Sequence, residues 1–233
     1  MAKAPLIHLE NVTKRYQLDD DEFYQALNGV TLSIFEGEFI AIMGPSGSGK
    51  STMMHILGAL DTPSSGKHLF KGKDITSYND DQLAEIRNRE IGFVFQTFNL
   101  LTRTTVAKNV ERPMLYAGIP PKEREKRVGD ALKLVGILDK ANNLSNRISG
   151  GQIQRVAIAR AIIMDPGVIF ADEPTGNLDS KTSHEIMEFF KKINRSGRTI
   201  VLITHEHDIA EYAHRKIHLM DGKIISDTKK SES

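Results

Sequence analysis

Five apolar residues, Phe39-Ile40-Ala41-Ile42-Met43, run directly into Gly44-Pro45-Ser46-Gly47-Ser48-Gly49-Lys50-Ser51-Thr52. Beyond them Met53, Met54, Leu57 and Leu60 recur at helical spacing. An unbroken apolar run predicts a strand buried on both faces. The glycines let the backbone curl without side-chain clash, so successive N–H groups converge on an anion. The helix that follows adds its partial positive end. Lys50 supplies a full charge for β- and γ-phosphates, and the Ser51 hydroxyl suits Mg²⁺. A glycine-rich turn matching by accident is the competing reading, and the strand–loop–helix context argues against it.

The remaining pattern alternates strands with helices. Residues 6–16 and 30–34 read as strands, 68–70 as a short strand and 79–89 as a polar helix with Asn and Asp at its start. Residues 91–95 read as strand again. From about 97 to 147 β-branched runs are sparse, and Val128, Ala131, Leu132 and Val135 mark a helix. Strand signals return at 168–171 and 199–204, with a helical stripe of Ile186, Phe189, Phe190 and Ile193 between them. A hairpin is predicted around Asp221-Gly222, with strands at 217–220 and 223–225. This alternation predicts an α/β domain with a mainly parallel sheet.

Composition limits the chemistry. The 233 residues contain 31 Lys plus Arg and 30 Asp plus Glu, a net charge of +1, so no global field favours nucleic acid or anionic lipid. There is no cysteine, which excludes disulfides, thiolate metal sites and a thiol nucleophile. Apolar runs are strand-sized and the first residues lack a signal core, so an uncleaved cytosolic protein is expected.

Val168-Ile169-Phe170-Ala171 ends in Asp172-Glu173. Beside the phosphate-loop strand, such a strand end would place Asp172 near Mg²⁺ and Glu173 where a general base polarises the attacking water. Exposed acids at a strand end are the ordinary alternative. The position downstream of the loop favours the functional reading.

Ile148-Ser149-Gly150-Gly151-Gln152, continuing through Gln154-Arg155-Val156-Ala157-Ile158-Ala159-Arg160-Ala161, resembles the signature motif of ATP-binding-cassette (ABC) ATPases. Ile148 stands where that family usually has Leu, an exchange that keeps size and apolarity. The resemblance covers nearly the whole chain. It implies that Gln96 is the Q-loop glutamine touching Mg²⁺ and the catalytic water. Gly176-Asn177-Leu178-Asp179 is then the D-loop, His205 the switch histidine reading the γ-phosphate, and Tyr16 the aromatic that stacks on adenine. Catalysis would rest on Glu173, His205, Gln96 and Lys50. ATP would be held by Tyr16, Gly44, Ser46, Gly47, Ser48, Gly49, Lys50, Ser51, Thr52 and Gln96. Gln152 and Asp179 would also bind ATP, Ser149, Gly150 and Gly151 would serve the nucleotide of a second subunit, and Mg²⁺ would be held by Ser51, Gln96 and Asp172.

The resemblance further implies a P-loop NTPase (RecA-like) core over 1–96 and 165–226 with an antiparallel β subdomain. A helical subdomain at 97–164 carries the signature, and 227–233 is expected to be a loose tail. Two cassettes would sandwich two ATP molecules head to tail and drive a separate membrane permease from the cytoplasmic face. No nucleic acid is expected. The segments at 91–101, 109–111 and 171–179 look like the subgroup of lipoprotein-release, macrolide-export and cell-division-permease ATPases. The alternatives are a cell-division ATPase whose turnover gates a membrane partner, or a soluble non-transport ABC ATPase. An exposed apolar patch of Phe98, Leu100 and Leu101 is expected beside the permease groove, with core packing as the alternative. Asp19-Asp20-Asp21-Glu22 is read as a solvated loop, and His205-Glu206-His207 lacks the HExxH zinc spacing.

Overall fold

The computed structural model describes residues 4–18 and 22–230, so the acidic run 19–21 lies outside the described residues. The chain divides into two units, residues 1–87 with 199–233, and residues 88–198.

In the first unit, β1 (Ile7–Gln17) pairs antiparallel with β2 (Phe23–Ile34) and with β4 (Ser65–Phe70), and β5 (Lys73–Asp74) extends the edge. The β2 strand starts seven residues before the expected Val30. Its polar beginning pairs with the end of β1, with Tyr24 opposite Tyr16 and Phe23 opposite Gln17. A second sheet places β3 (Phe39–Met43) between β8 (Thr199–Ile203) and β9 (Arg215–Met220), both parallel to it. Every residue of β3 and β8 is buried, as their continuous apolar sequences require.

The helix α1 (Lys50–Leu57) buries Met53, Met54 and Leu57. It does not reach Leu60, which is 40% exposed, contrary to the sequence pattern. Gly58 caps the helix and Ala59 takes φ +54, so the stripe ends one turn early.

The expected loose tail is also corrected. β10 (Lys223–Lys229) continues through Asp227. The Arg215 guanidinium, 7% exposed, forks onto both Asp227 carboxylate oxygens at 2.7 and 2.6 Å and also meets Glu38 at 3.0 Å. This pairing raises the Arg215 pKa and lowers that of Asp227. A polar edge strand carries little apolar signal, which is why its sequence reads as tail.

The second unit holds β6 (Ile91–Val94) parallel to β7 (Val168–Asp172), with Val94 opposite Ala171. Around them lie α3 (Val106–Tyr116), α4 (Pro121–Leu134), α5 (Gly150–Ile162) and α6 (Ser180–Arg195). α4 buries Val128, Ala131 and Leu132, and α6 buries Ile186, Phe190 and Ile193. Phe189 is only half-buried, its ring covered by the Arg155 guanidinium at 4.7 Å. Buried Asn109 hydrogen-bonds Leu101 through both its amide atoms, pinning the approach to α3. Two further α-helices among the described residues are α2 (Asp80–Glu90) and the short α7 (His207–Ala210).

His68 in β4 is 2% exposed, and burial pushes its pKa down to about 4 against the opposing pull of Asp74. The native chain therefore keeps this imidazole neutral, whereas the unfolded chain protonates it near 6.5. Its stabilisation is complete above the unfolded pKa and declines as pH falls from about 6.5 toward 4. Stability should drop by about 2 kcal/mol between pH 7 and pH 5 on this account. Urea unfolding at both values should show His68→Leu losing much less than the wild type. Equal losses in the two proteins would contradict it.

Candidate functional site

The first unit gathers one set of the expected residues. β3 delivers the chain to Gly44, and α1 begins at Lys50. Gly44 and Gly49 adopt φ +154 and +99. A Cβ at Gly49 would lie 2.4 Å from the Ala26 carbonyl, and one at Gly44 2.1 Å from that of Leu219. The loop therefore requires glycine at both positions. Gly47, at φ +77, faces open space.

Lys50 folds over the loop and donates to the carbonyls of Gly44 at 2.8 Å and Pro45 at 2.7 Å. Its charge is thus held inside the ring of backbone that would take a phosphate. The Ser48 hydroxyl is buried, 3% of the residue being exposed, and has no hydrogen-bond partner among the described residues, a polar atom suited to a phosphate oxygen. No side chain caps α1, whose first turn offers N–H groups to an anion. Ser46 and Ser51 are exposed and Thr52 half-buried.

His205 is exposed and follows β8. Ile42 pairs with Ile203 in the parallel register, so the residues after β3 and β8 emerge at the same sheet end. That end carries Gly44 and His205.

Tyr16 is half-buried, and its hydroxyl donates to Asp61 Oδ2 at 3.0 Å. Lys14 completes the cluster, 2.6 Å from Asp61 Oδ1 and 5.1 Å from the Tyr16 ring. Desolvation, followed by the neighbouring Asp61, raises the Tyr16 pKa, which keeps the phenol neutral. Its cross-strand partner Tyr24 donates to the Gly47 carbonyl at 3.1 Å. Asp61, Lys14 and Tyr24 leave no mark in the sequence, because a lone acid, lysine or tyrosine carries no pattern.

The second unit gathers the other set. The β6–β7 register sets Gln96 beside Glu173 at the strand ends. Both border Gly176, where a Cβ would come within 3.0 Å of Gln96 Nε2 and 3.6 Å of Glu173 Oε2. Glycine at 176 is thus what lets the two side chains approach. Asn177 closes the arrangement, its amide donating to the Gln96 carbonyl at 2.9 Å. Asp172 and Glu173 are half-buried, and Glu173 takes φ +42. A non-glycine residue in that region stores backbone strain, as reactive side chains often do.

Ser149 and Gly150, both exposed, open α5. A capping box fixes this end: the Ser149 hydroxyl accepts from Gln152 N at 3.4 Å, and Gln152 Oε1 accepts from Ser149 N at 3.0 Å. Gly151 lies against Thr182 and Gly150 against Leu178, so α5 begins beside the 176–182 segment. Asp179 caps α6, accepting from Thr182 N at 3.0 Å and Thr182 Oγ1 at 2.7 Å. Those bonds lower its pKa. In the 98–101 segment Leu101 is 48% exposed, while Phe98 and Leu100 are half-buried. The expected apolar patch is therefore mostly one side chain.

The donor types fit the expected ligands. Ser51, Gln96 and Asp172 offer only oxygen ligands through side-chain hydroxyl, carbonyl and carboxylate, the hard set that Mg²⁺ prefers. Among the described residues no cluster of three or more His, Cys, Asp or Glu could hold a metal alone.

A family model described as ABC transporter matches residues 27–176. An uncharacterized ABC transporter ATP-binding protein of Bacillus subtilis, YknY, is 52% identical over 220 residues, covering 94% of this chain and 95% of that one. The macrolide export ATP-binding/permease protein MacB of Chlorobaculum tepidum is 50% identical over 98% of this chain, which spans 35% of that protein's length. The dimeric ABC transporter cassette MJ0796 is 45% identical with a TM-score of 0.90, covering 97% of this chain and all of that one. A dimeric post-hydrolysis state of the same cassette, bound to ADP and Pi, is 44% identical with the same TM-score. The chain belongs to the ABC transporter ATP-binding family and is a P-loop ATPase.

Proposed function

We propose that two copies of this chain close head to tail around two ATP molecules and so drive a separate membrane permease of exporter type. The observation that carries this reading is the exposed Ser149–Gly150 end of α5, presented by the unit that also holds Gln96 and Glu173. An uncapped anion-binding loop and an exposed signature end, in a family in which the cassette MJ0796 is dimeric, support reading them as complementary halves of one shared pocket.

Tyr16 would support adenine, and the Gly44–Thr52 loop with Lys50 would hold the triphosphate. Ser149, Gly150, Gly151 and Gln152 of the other copy would close on the γ-phosphate, with Asp179 ordering the adjoining turn. Glu173 would accept a proton from water as its oxygen attacks the γ-phosphorus. The bond to the β-phosphate oxygen breaks, and ADP and inorganic phosphate result. His205 and Gln96 would orient the γ-phosphate and the water. Mg²⁺, when held by Ser51, Gln96 and Asp172, offsets the phosphate charge. Once the shared phosphate contact is gone, the dimer loses its bridge and opens.

Lys50→Ala should weaken ATP binding by about 2–3 kcal/mol, the scale of a charge-assisted contact. Isothermal titration reads this directly, and an unchanged affinity would contradict the assignment.

Among the described residues no helix is long and apolar enough to cross a membrane, so a spanning permease must come from outside them. The MacB relatives combine ATP-binding and permease functions by name, which supports a membrane partner, and this reading puts the chain at the cytoplasmic face. Affinity purification from detergent-solubilised membranes, followed by mass spectrometry and turnover assays, tests the coupling. The expected result is an integral-membrane protein that copurifies and alters ATP turnover. Copurification with ribosomes or DNA instead would contradict the transport reading.

A further inference from the structure

The signature helix holds both strand ends of the second unit. Gln154, fully buried in α5, donates to the Pro174 carbonyl at 2.7 Å, one residue beyond Glu173. Six residues further along, Arg160 donates to the Asn99 carbonyl at 2.5 Å and the Phe98 carbonyl at 2.8 Å. Phe98 and Asn99 stand at φ +61 and +49. Two successive non-glycine residues in this region do not sustain themselves without outside support. The turn is otherwise local, closed by Phe98 N to Phe95 O at 3.0 Å and Asn99 N to Thr97 O at 2.7 Å. A guanidinium presents parallel N–H groups in a rigid fork, which suits two adjacent carbonyls as a single ammonium does not. Partial burial lowers the Arg160 pKa.

We propose that Arg160 is a positioning residue for ATP hydrolysis: it locks the left-handed turn after Gln96 to the helix that begins with the signature. Gln96 is two residues from this lock, and its own carbonyl is held by Asn177. A displacement of α5 is therefore transmitted to Gln96 through Arg160 and to the neighbourhood of Glu173 through Gln154. This inference rests on the proposed role of Gln96 and Glu173 in hydrolysis.

The test uses the purified full chain with Mg-ATP and three variants, Arg160→Met, Arg160→Lys and Glu173→Gln. Amide exchange over residues 98–101 should accelerate in Arg160→Met while α5 and β7 keep their protection. Its kcat should fall by about 10- to 100-fold, up to the scale of a misplaced reacting group, with KM and ATP affinity unchanged within about twofold. Arg160→Lys keeps charge and stem but not the fork, so it should show the same pattern in smaller degree. That variant also decides the matter if Arg160→Met does not fold. Unchanged exchange at 98–101 would overturn the proposal. So would faster exchange across the whole second unit with ATP affinity and kcat falling together, which describes general destabilisation. Full turnover in Glu173→Gln would instead overturn the reading of the site, while the exchange pattern still judges the Arg160 lock.

Discussion

Glu173→Gln should leave ATP binding intact and slow hydrolysis by about 10²–10⁴-fold, the contribution of a positioned general base. The amide keeps the size and planarity of the carboxylate but cannot accept the proton from water. Gly176 leaves Glu173 and Gln96 side by side, and the strained φ of +42 aims a residue that the surrounding chain holds in place. With hydrolysis blocked, the nucleotide stays whole and the contact between copies persists. Sizing with light scattering in saturating ATP should give twice the 26.0 kDa chain mass. A 26.0 kDa species at high protein concentration would remove Glu173 from the role of base in a dimer.

Ser149→Arg should abolish hydrolysis almost completely while the isolated chain binds ATP as before. Ser149 is exposed and its hydroxyl serves the start of α5. Losing that cap costs about 1 kcal/mol. For a chain of this length that lowers the melting temperature by about 2–4 °C, so the fold survives. The arginine side chain would occupy the space that the proposed dimer gives to the other copy's γ-phosphate. The expected pattern is normal fluorescent-ATP binding, a small thermal shift and turnover below about 1% of wild type, as for loss of a preorganised oxyanion contact. Full turnover would show that Ser149 faces no phosphate.

Much of this was legible in the residues themselves. The phosphate loop announced itself because its chemistry requires glycines, a lysine and a hydroxyl in one short stretch between a buried strand and a helix. β3 and β7 were legible for a related reason: burial on both faces demands unbroken apolar residues. The capping box of α5 follows from Ser149 and Gln152 at the spacing such boxes use. What escaped was set by tertiary pairing. The polar start of β2 and the end of β10 are strands only because β1 and Arg215 lie beside them. Leu60 continues a helical stripe that the backbone abandons at Ala59. Arg160, Gln154 and Asn177 bind backbone carbonyls far along the chain, and no local pattern marks such contacts. Asp61 is invisible for the same reason, since its partners Lys14 and Tyr16 are distant in sequence.

Mixing two inactive proteins, Lys50→Ala and Ser149→Arg, and measuring Mg-ATP turnover asks whether each pocket draws on two chains. In a mixed dimer one pocket combines the intact Lys50 of one chain with the intact Ser149 of the other, while the second pocket carries both changes. Random pairing of a two-fold dimer leaves roughly a quarter of all pockets whole, so the mixture should regain up to about that share of wild-type turnover. Turnover that stays at the level of either protein alone, in a mixture shown to form mixed dimers, would contradict the shared pocket.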